Sequence, residues 1–104
     1  MTTFELEEYL AAHNQIIDNF RNKYAAFLNE KNADRPTNKK WSSLRIKNET
    51  SSAVIKFISN IRNEISTSMG SAQRKHRTNW ISYIEKHEII YRLEESMADM
   101  VFEG

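Results

Sequence analysis

Residues that break helices are very rare in this chain, and their scarcity limits the folds open to it. The 104 residues contain one proline, Pro36, and two glycines, Gly70 and the terminal Gly104. Strand-rich domains of this size need many tight turns, which depend on glycine, proline and asparagine–glycine pairs. The sequence therefore predicts an all-α fold with a few long helices and few loops, in one domain spanning 1–104.

Composition excludes several classes of protein. Without cysteine there is no disulfide framework, thiol nucleophile or thiolate metal site. The 15 basic and 14 acidic side chains nearly cancel, which removes the argument for nucleic-acid binding by a strongly basic chain. The acidic start is unlike a signal peptide, and no apolar run approaches the roughly 18 residues that cross a membrane. We expect a cytoplasmic protein with no membrane contact.

The first helix is predicted over 3–29. Thr2 and Glu5 have the spacing of a capping box, in which each side chain bonds the backbone of the other. Apolar and aromatic residues then recur at alternating spacings of three and four, as on one face of a helix. This seam consists of Leu6, Leu10, His13, Ile17, Phe20, Tyr24 and Phe27.

Two more helices are predicted over about 50–69 and 71–102. The polar segment 29–40 is predicted to be a loop, and 41–47 fits either a helical turn or a short strand. Capping residues in 48–52 indicate the start of the second helix, and Gly70 is placed to end it. Together the three main helices predict a small antiparallel bundle. Because the helices are unequal, we expect self-association, with a dimer favoured, to complete the core.

Charge is unevenly distributed along the chain. Both ends are acidic, and two basic stretches lie between them: Arg35, Lys39, Lys40, Arg45 and Lys47, then Arg74, Lys75 and Arg77. One interpretation is that these charges pair across neighbouring ends of the bundle. However, a helix over 71–102 would carry cations at its N-terminus and carboxylates at its C-terminus, against its dipole. A copy packed antiparallel on this helix, or an anion bound at Arg74–Arg77, would explain that reversal.

Candidate sites each have a structural alternative. His13 and His87 lie in apolar seams, where core histidines are more common than a metal or acid–base pair. Trp80 beside Arg74–Arg77, and Trp41 within the first basic stretch, combine cations with an aromatic ring as nucleic-acid sites do. The alternative is that both tryptophans anchor the core. No cofactor is predicted, and no catalytic or metal-binding motif occurs.

These patterns favour a small non-enzymatic interaction protein that binds and modulates another macromolecule, most simply a protein, as an inhibitor or adaptor. Small proteins of this kind are often encoded by phages or plasmids. The expected contact face is the exposed part of the third helix, comprising Arg74, Lys75, Arg77, Trp80, Tyr83 and Tyr91. The alternative is an anion-binding protein that holds nucleic acid or a nucleotide at Arg74–Arg77.

Overall fold

The computed structural model describes residues 1–71 and 73–102, and this part of the chain is all-α, as predicted, with no strand. It contains five α-helices instead of three, so the predicted bundle of three main helices is not what forms. The helices are α1 (Thr3–His13), α2 (Ile16–Ala33), α3 (Ser43–Ser68), α4 (Arg77–Lys86) and α5 (Ile89–Asp99), with single 3-10 turns at Thr37–Lys39 and Gln73–Lys75.

The predicted helix over 3–29 is divided into α1 and α2, and α2 continues to Ala33. The capping box of Thr2 and Glu5 is present. At the break, Asn14 is fully extended, and its Oδ1 accepts a hydrogen bond of 2.8 Å from the N–H of Ile16. Asparagine side chains compete with the helix in this way. The apolar spacing continues across the break and conceals it, although His13 within the seam is exposed.

The helix predicted over 50–69 begins at Ser43, so residues 43–47 are helical and not a strand. The cap is Ser42, whose hydroxyl accepts a hydrogen bond from the N–H of Arg45. Thr50, which lies among the residues taken as caps, is buried inside the helix. Its hydroxyl donates to the carbonyl of Ile46 at 2.7 Å, which satisfies it without ending the helix.

The prediction of one helix over 71–102 is also wrong. The observed helical region starts at Arg77 and is broken between α4 and α5. Glu88 at the break has a φ of 52°, the left-handed conformation that usually follows a helix C-terminus at glycine. Gly70 was expected to have that role after α3, yet it has no positive φ. The α3 helix does end next to it, at Ser68.

The two longest helices, α2 and α3, pack against each other. Residue numbers rise along α2 as they fall along its contacts with α3 and the segment before it, at Phe20–Phe57 and Asn32–Trp41, so these two helices are antiparallel. The start of α1 meets the same part of α3, through Met1–Arg62 and Thr3–Ser59. One connected core joins all five helices, and each fully buried aliphatic side chain contributes about 1.5–3 kcal/mol. The core comprises Leu6, Tyr9, Leu10, Ile16, Ile17, Phe20, Val54, Ile58, Ile61, Ile65, Met69, Trp80, Ile84 and Met97.

The molecule is elongated, measuring 54 × 23 × 23 Å, and one end of it is only two helices thick. Its radius of gyration is 16.1 Å, against about 13 Å for a compact chain of this length. Among the described residues after α5, the contact farthest along α2 is with Phe27, whose ring lies 5.7 Å from that of Phe102. Beyond it, Leu28 and Ile46 are buried between α2 and α3 but lie outside the connected core.

The C-terminal end of α5 is fastened to α2 by one lysine and one aromatic ring. Lys23 Nζ donates to the carbonyls of Met97 (2.6 Å) and Met100 (3.0 Å), which places a cation at the negative, C-terminal end of the helix. Phe102 packs edge-on against Phe20 and Tyr24. None of the described helices has the length and apolar character needed to span a membrane.

We predict that Glu88→Gly stabilises the fold. Glycine adopts the left-handed conformation without the steric cost that a side chain incurs, so the free energy of unfolding should rise by about 0.5–1 kcal/mol. Urea denaturation followed by circular dichroism measures this. Ser82→Gly, exposed in the middle of α4, is the matched control and should lower the free energy of unfolding. An equal loss in both variants would mean that residue 88 is inside a continuous helix.

Candidate binding surfaces

The first basic stretch forms the two-helix end of the molecule, which we call the tip. Its cations are Arg35, Lys39, Lys40, Arg45 and Lys47, and they lie around the turn between α2 and α3. No aspartate or glutamate occurs in 35–48. The tip is therefore a region of concentrated positive charge in a chain that is nearly neutral overall.

Asn32 fixes the backbone of the tip. Its Oδ1 accepts from the N–H of Trp41 at 2.8 Å, and its Nδ2 donates to the carbonyl of Trp41 at 3.2 Å. Lys40 Nζ donates to the carbonyls of Asn32 and Ala33 at the C-terminal end of α2, where the Asn32 carbonyl also accepts from the N–H of Arg35. The two hydrogen bonds from Asn32 thus hold the backbone of Trp41 as a neighbouring strand would. The ammonium group of Lys40 is bound to the C-terminal end of α2.

Two guanidinium groups lie over the indole ring of Trp41. The Cζ atoms of Arg35 and Arg45 are 4.2 Å and 4.0 Å from the ring centroid. Stacking on an aromatic ring restricts an arginine side chain before any ligand arrives, which reduces the entropy lost on binding. The same contacts cover the half-buried ring. Trp41 therefore positions two arginines and leaves no open face on which a nucleic-acid base could stack.

The second basic segment, Arg74–Arg77, is exposed but lacks its expected aromatic partner. Trp80 is 1% exposed, with its Nε1 donating to the carbonyl of Arg74 at 2.9 Å. Its ring anchors the core and holds the segment in place from below. Trp80 is therefore not available for stacking on a nucleic-acid base, and the anion site proposed here retains only its cations: Arg74, Lys75 and Arg77.

The expected face of the third helix is divided by the break between α4 and α5. Tyr91 on α5 is 59% exposed, whereas Tyr83 on α4 is half-buried. Tyr83 and His87 line a cavity of about 310 Å³ beneath the break, between α3 and these two helices. The two tyrosines therefore do not belong to one continuous helical stripe.

Most of the expected pairing between oppositely charged ends does not form. Within the described residues the one ion pair is Asp18–Arg21, at 3.5 Å on the exposed surface. The acidic start of α1 does lie near the second basic segment. The pKa of the Glu5 carboxyl is lowered mainly by the hydrogen bond from the Thr2 N–H, and the positive charge of Arg77 adds to this shift. The cations of the tip have no carboxylate within ion-pair distance.

His13 and His87 are each stacked on the tyrosine four residues before them. The ring of His13 lies 4.4 Å from that of Tyr9, and the ring of His87 lies 4.2 Å from that of Tyr83. Both histidines are exposed and not in the core, contrary to the more common alternative. No group of three or more histidine, aspartate or glutamate side chains that could hold a metal ion is found in 1–71 and 73–102.

The break also changes the argument for self-association. That argument assumed one long helix, but the helix is divided, and Lys86 at the end of α4 and Glu88 before α5 both favour the helix dipoles. Arg77 at the start of α4 and Asp99 at the end of α5 still oppose them. The acidic end of α5 receives its cation from Lys23. Self-association therefore stays a prediction, and its electrostatic argument is reduced to the cations at the start of α4.

Sequence reasoning missed a polar groove between α2 and α3. The groove has a volume of about 650 Å³ and adjoins the tip. Asparagines of α2 and serines of α3 supply most of its polar groups, and such residues look like ordinary solvated positions in a sequence. Only the pairing of the two helices brings them together: Asn22 and Asn29 on one side, Ser43, Lys47 and Ser51 on the other.

We predict that Asn32→Ala loosens the tip without unfolding the core. The backbone amide of Trp41 loses its acceptor, and its hydrogen exchange should accelerate roughly tenfold, as expected for one or two lost hydrogen bonds. Residue-resolved exchange by NMR measures this, with amides of α4 as internal reference. Asn19→Ala, exposed on the same helix, should leave Trp41 unchanged. Unchanged exchange at Trp41 in Asn32→Ala would contradict the role given to Asn32.

The tip combines guanidinium and ammonium groups with amides, a set suited to binding carboxylates or phosphates. Acid–base catalysis needs a group that exchanges protons near neutral pH, and 35–48 contains no histidine, aspartate or glutamate. Compared with known proteins, the chain matches no protein-family model, no curated protein and no solved structure.

Proposed function

We propose that this protein is a non-catalytic helical interaction protein that binds and modulates another protein, using the tip to contact an acidic surface. The observation that carries the proposal is the pair of arginines held over Trp41 without a carboxylate partner. Each guanidinium can donate two parallel hydrogen bonds to a carboxylate. The stacked ring reduces the entropy cost of holding that geometry.

The uncovered state of the tip supports the same proposal. Residues that only stabilise a fold are usually enclosed by it, whereas this end has two helices and a small buried pair, Leu28 and Ile46. Leu44, at the start of α3, is 65% exposed beside the cations. Interfaces commonly combine arginine, aromatic and aliphatic groups in this way.

Nucleic acid or a nucleotide at Arg74–Arg77 is the second candidate. The three cations are exposed and have no ion pair in the described residues, which supports it. Recognition of single-stranded nucleic acid usually adds stacking on aromatic side chains, and Trp80 and Trp41 are both covered. The tip and an acidic protein partner are therefore favoured.

The proposal predicts that two arginines of the tip contribute more to binding an acidic partner than two arginines of the second basic segment. Fluorescence anisotropy with labelled poly-glutamate is compared for the wild type, for Arg35→Ala with Arg45→Ala, and for Arg74→Ala with Arg77→Ala. Both double variants lose the same charge, so a general electrostatic effect would weaken binding equally. We expect a loss of about tenfold or more for the tip variant and less than about twofold for the other, since charge-assisted hydrogen bonds are worth about 1.5–3 kcal/mol.

Thermal unfolding of each variant, followed by circular dichroism, checks that the fold is retained. A labelled single-stranded DNA oligonucleotide is tested in parallel at several salt concentrations. Tighter binding of DNA than of poly-glutamate, lost in the Arg74 and Arg77 variant and weakened steeply by salt, would establish the second candidate instead. Poly-glutamate binding that is absent, or equal in all three proteins, would overturn the proposed function.

A further inference from the structure

The polar groove between α2 and α3 carries an inference about the form of the partner. The groove begins at the tip, since Asn29 lies one helical turn before Asn32, and Ser43 follows Trp41 by two residues. Its volume of about 650 Å³ is large enough for several residues of an extended chain. Lys47 belongs to both, since it is one of the tip cations and also lines the groove, whereas Arg35 and Arg45 lie outside the groove.

The groove is lined by hydrogen-bonding groups that the protein itself does not use. Asn22, Asn29, Ser43 and Ser51 have no hydrogen-bond partner for their side chains in the described part of the chain. By contrast, the hydroxyl of Thr50, which also lines the groove, is occupied by the carbonyl of Ile46. An asparagine amide can donate and accept at once, as a peptide main chain requires of its partner.

The charge of the groove is positive. Lys47 has no ion pair, and Arg21 at the far end is paired through one nitrogen with the exposed carboxylate of Asp18. No carboxylate lines the groove itself. Exposed pairs such as Asp18–Arg21 are weak, so Arg21 can exchange Asp18 for another carboxylate at little cost.

The spacing of the groups fits an extended peptide. Asn22 and Asn29 are two helical turns apart on α2, which separates them by about 10 Å. Three residues of an extended chain span about the same distance. Ser43, Lys47 and Ser51 follow at intervals of one turn on α3, so the second row runs alongside the first. No exposed aromatic side chain lines the groove to stack on a base.

We propose that the groove binds an extended acidic peptide segment of the partner protein. Asn22 and Asn29 hydrogen-bond the main chain of the segment, while Lys47 and Arg21, the cations that line the groove, pair with its carboxylates. This inference rests on the proposed function, because the groove adjoins the tip and shares Lys47 with it. It adds that the partner is recognised through an unfolded or loop segment and not through a folded acidic face.

The test uses a labelled eight-residue peptide of alternating glutamate and alanine, and a second copy whose alanine amides are N-methylated. N-methylation removes main-chain donors and retains every charge. We expect the wild type to bind the unmodified peptide at least tenfold more tightly than the methylated one. Asn22→Ala with Asn29→Ala should bind the unmodified peptide about tenfold more weakly than the wild type and should lose most of the distinction between the peptides. Asn19→Ala is the matched control, since Asn19 is exposed on the same helix outside the groove.

The outcomes separate the two proposals. If Arg35→Ala with Arg45→Ala weakens peptide binding but the asparagine variant and the methylated peptide behave as the wild type and unmodified peptide do, the groove is not the site and the proposed function stands. If no variant alters binding, both proposals fail. A mononucleotide or single-stranded oligonucleotide that binds in dependence on Asn22 and Asn29, while the peptide does not, would also overturn the peptide assignment.

Discussion

The isoleucine-rich face of α3 organises the rest of the molecule. Buried residues recur along it at spacings of three and four over the length of the helix: Ile46, Thr50, Val54, Ile58, Ile61 and Ile65. Every other helix buries its apolar side against the core built on this face. The α3 helix is continuous, whereas the chain on either side of it is broken into shorter helices at Asn14 and Glu88. Because the last element ends beside the middle of α2, the beginning of α3 has only one partner helix, and the tip is left uncovered.

Local signals in the sequence were sufficient for the fold class and for several helix positions. The capping box of Thr2 and Glu5 acts within four residues, and it forms as predicted. The scarcity of glycine and proline restricts the whole chain to helices and does so without tertiary information. The apolar faces of α3 and α5 follow from their spacing, which the core confirms at Ile58, Ile61, Ile65 and Met97.

The breaks could not be predicted from the sequence, because asparagine and glutamate occur both inside helices and in loops. Asn14 ends α1 through a single side-chain hydrogen bond, and Glu88 adopts a conformation that a sequence normally signals with glycine. Lys23 explains why α5 tolerates carboxylates at its C-terminus, yet it is more than 70 residues away in the chain from the carbonyls it binds. Tertiary contacts determine these positions, and the spacing of apolar residues in the sequence does not reveal them.

The cations of both basic segments were found from the sequence, but their roles were not. Two tryptophans beside basic residues look alike in a sequence, whereas Trp80 is enclosed by the core and Trp41 supports two arginines at the surface. The difference depends on whether a third helix covers the site. Asn32 and the groups of the polar groove had no signal at all, since each is an ordinary polar residue of a helix until α2 and α3 pair.

The central claim is that the tip is a two-helix extension, uncovered and available to a partner. Native-state hydrogen exchange along α3, resolved by residue, tests it most directly. Residues 47–50 lie beyond the first turn, so fraying at the helix end does not govern their exchange. We predict that these amides exchange at least tenfold faster than those of 58–65, which the full core encloses. Equal protection along the whole of α3 would show that the tip is enclosed and would contradict the account.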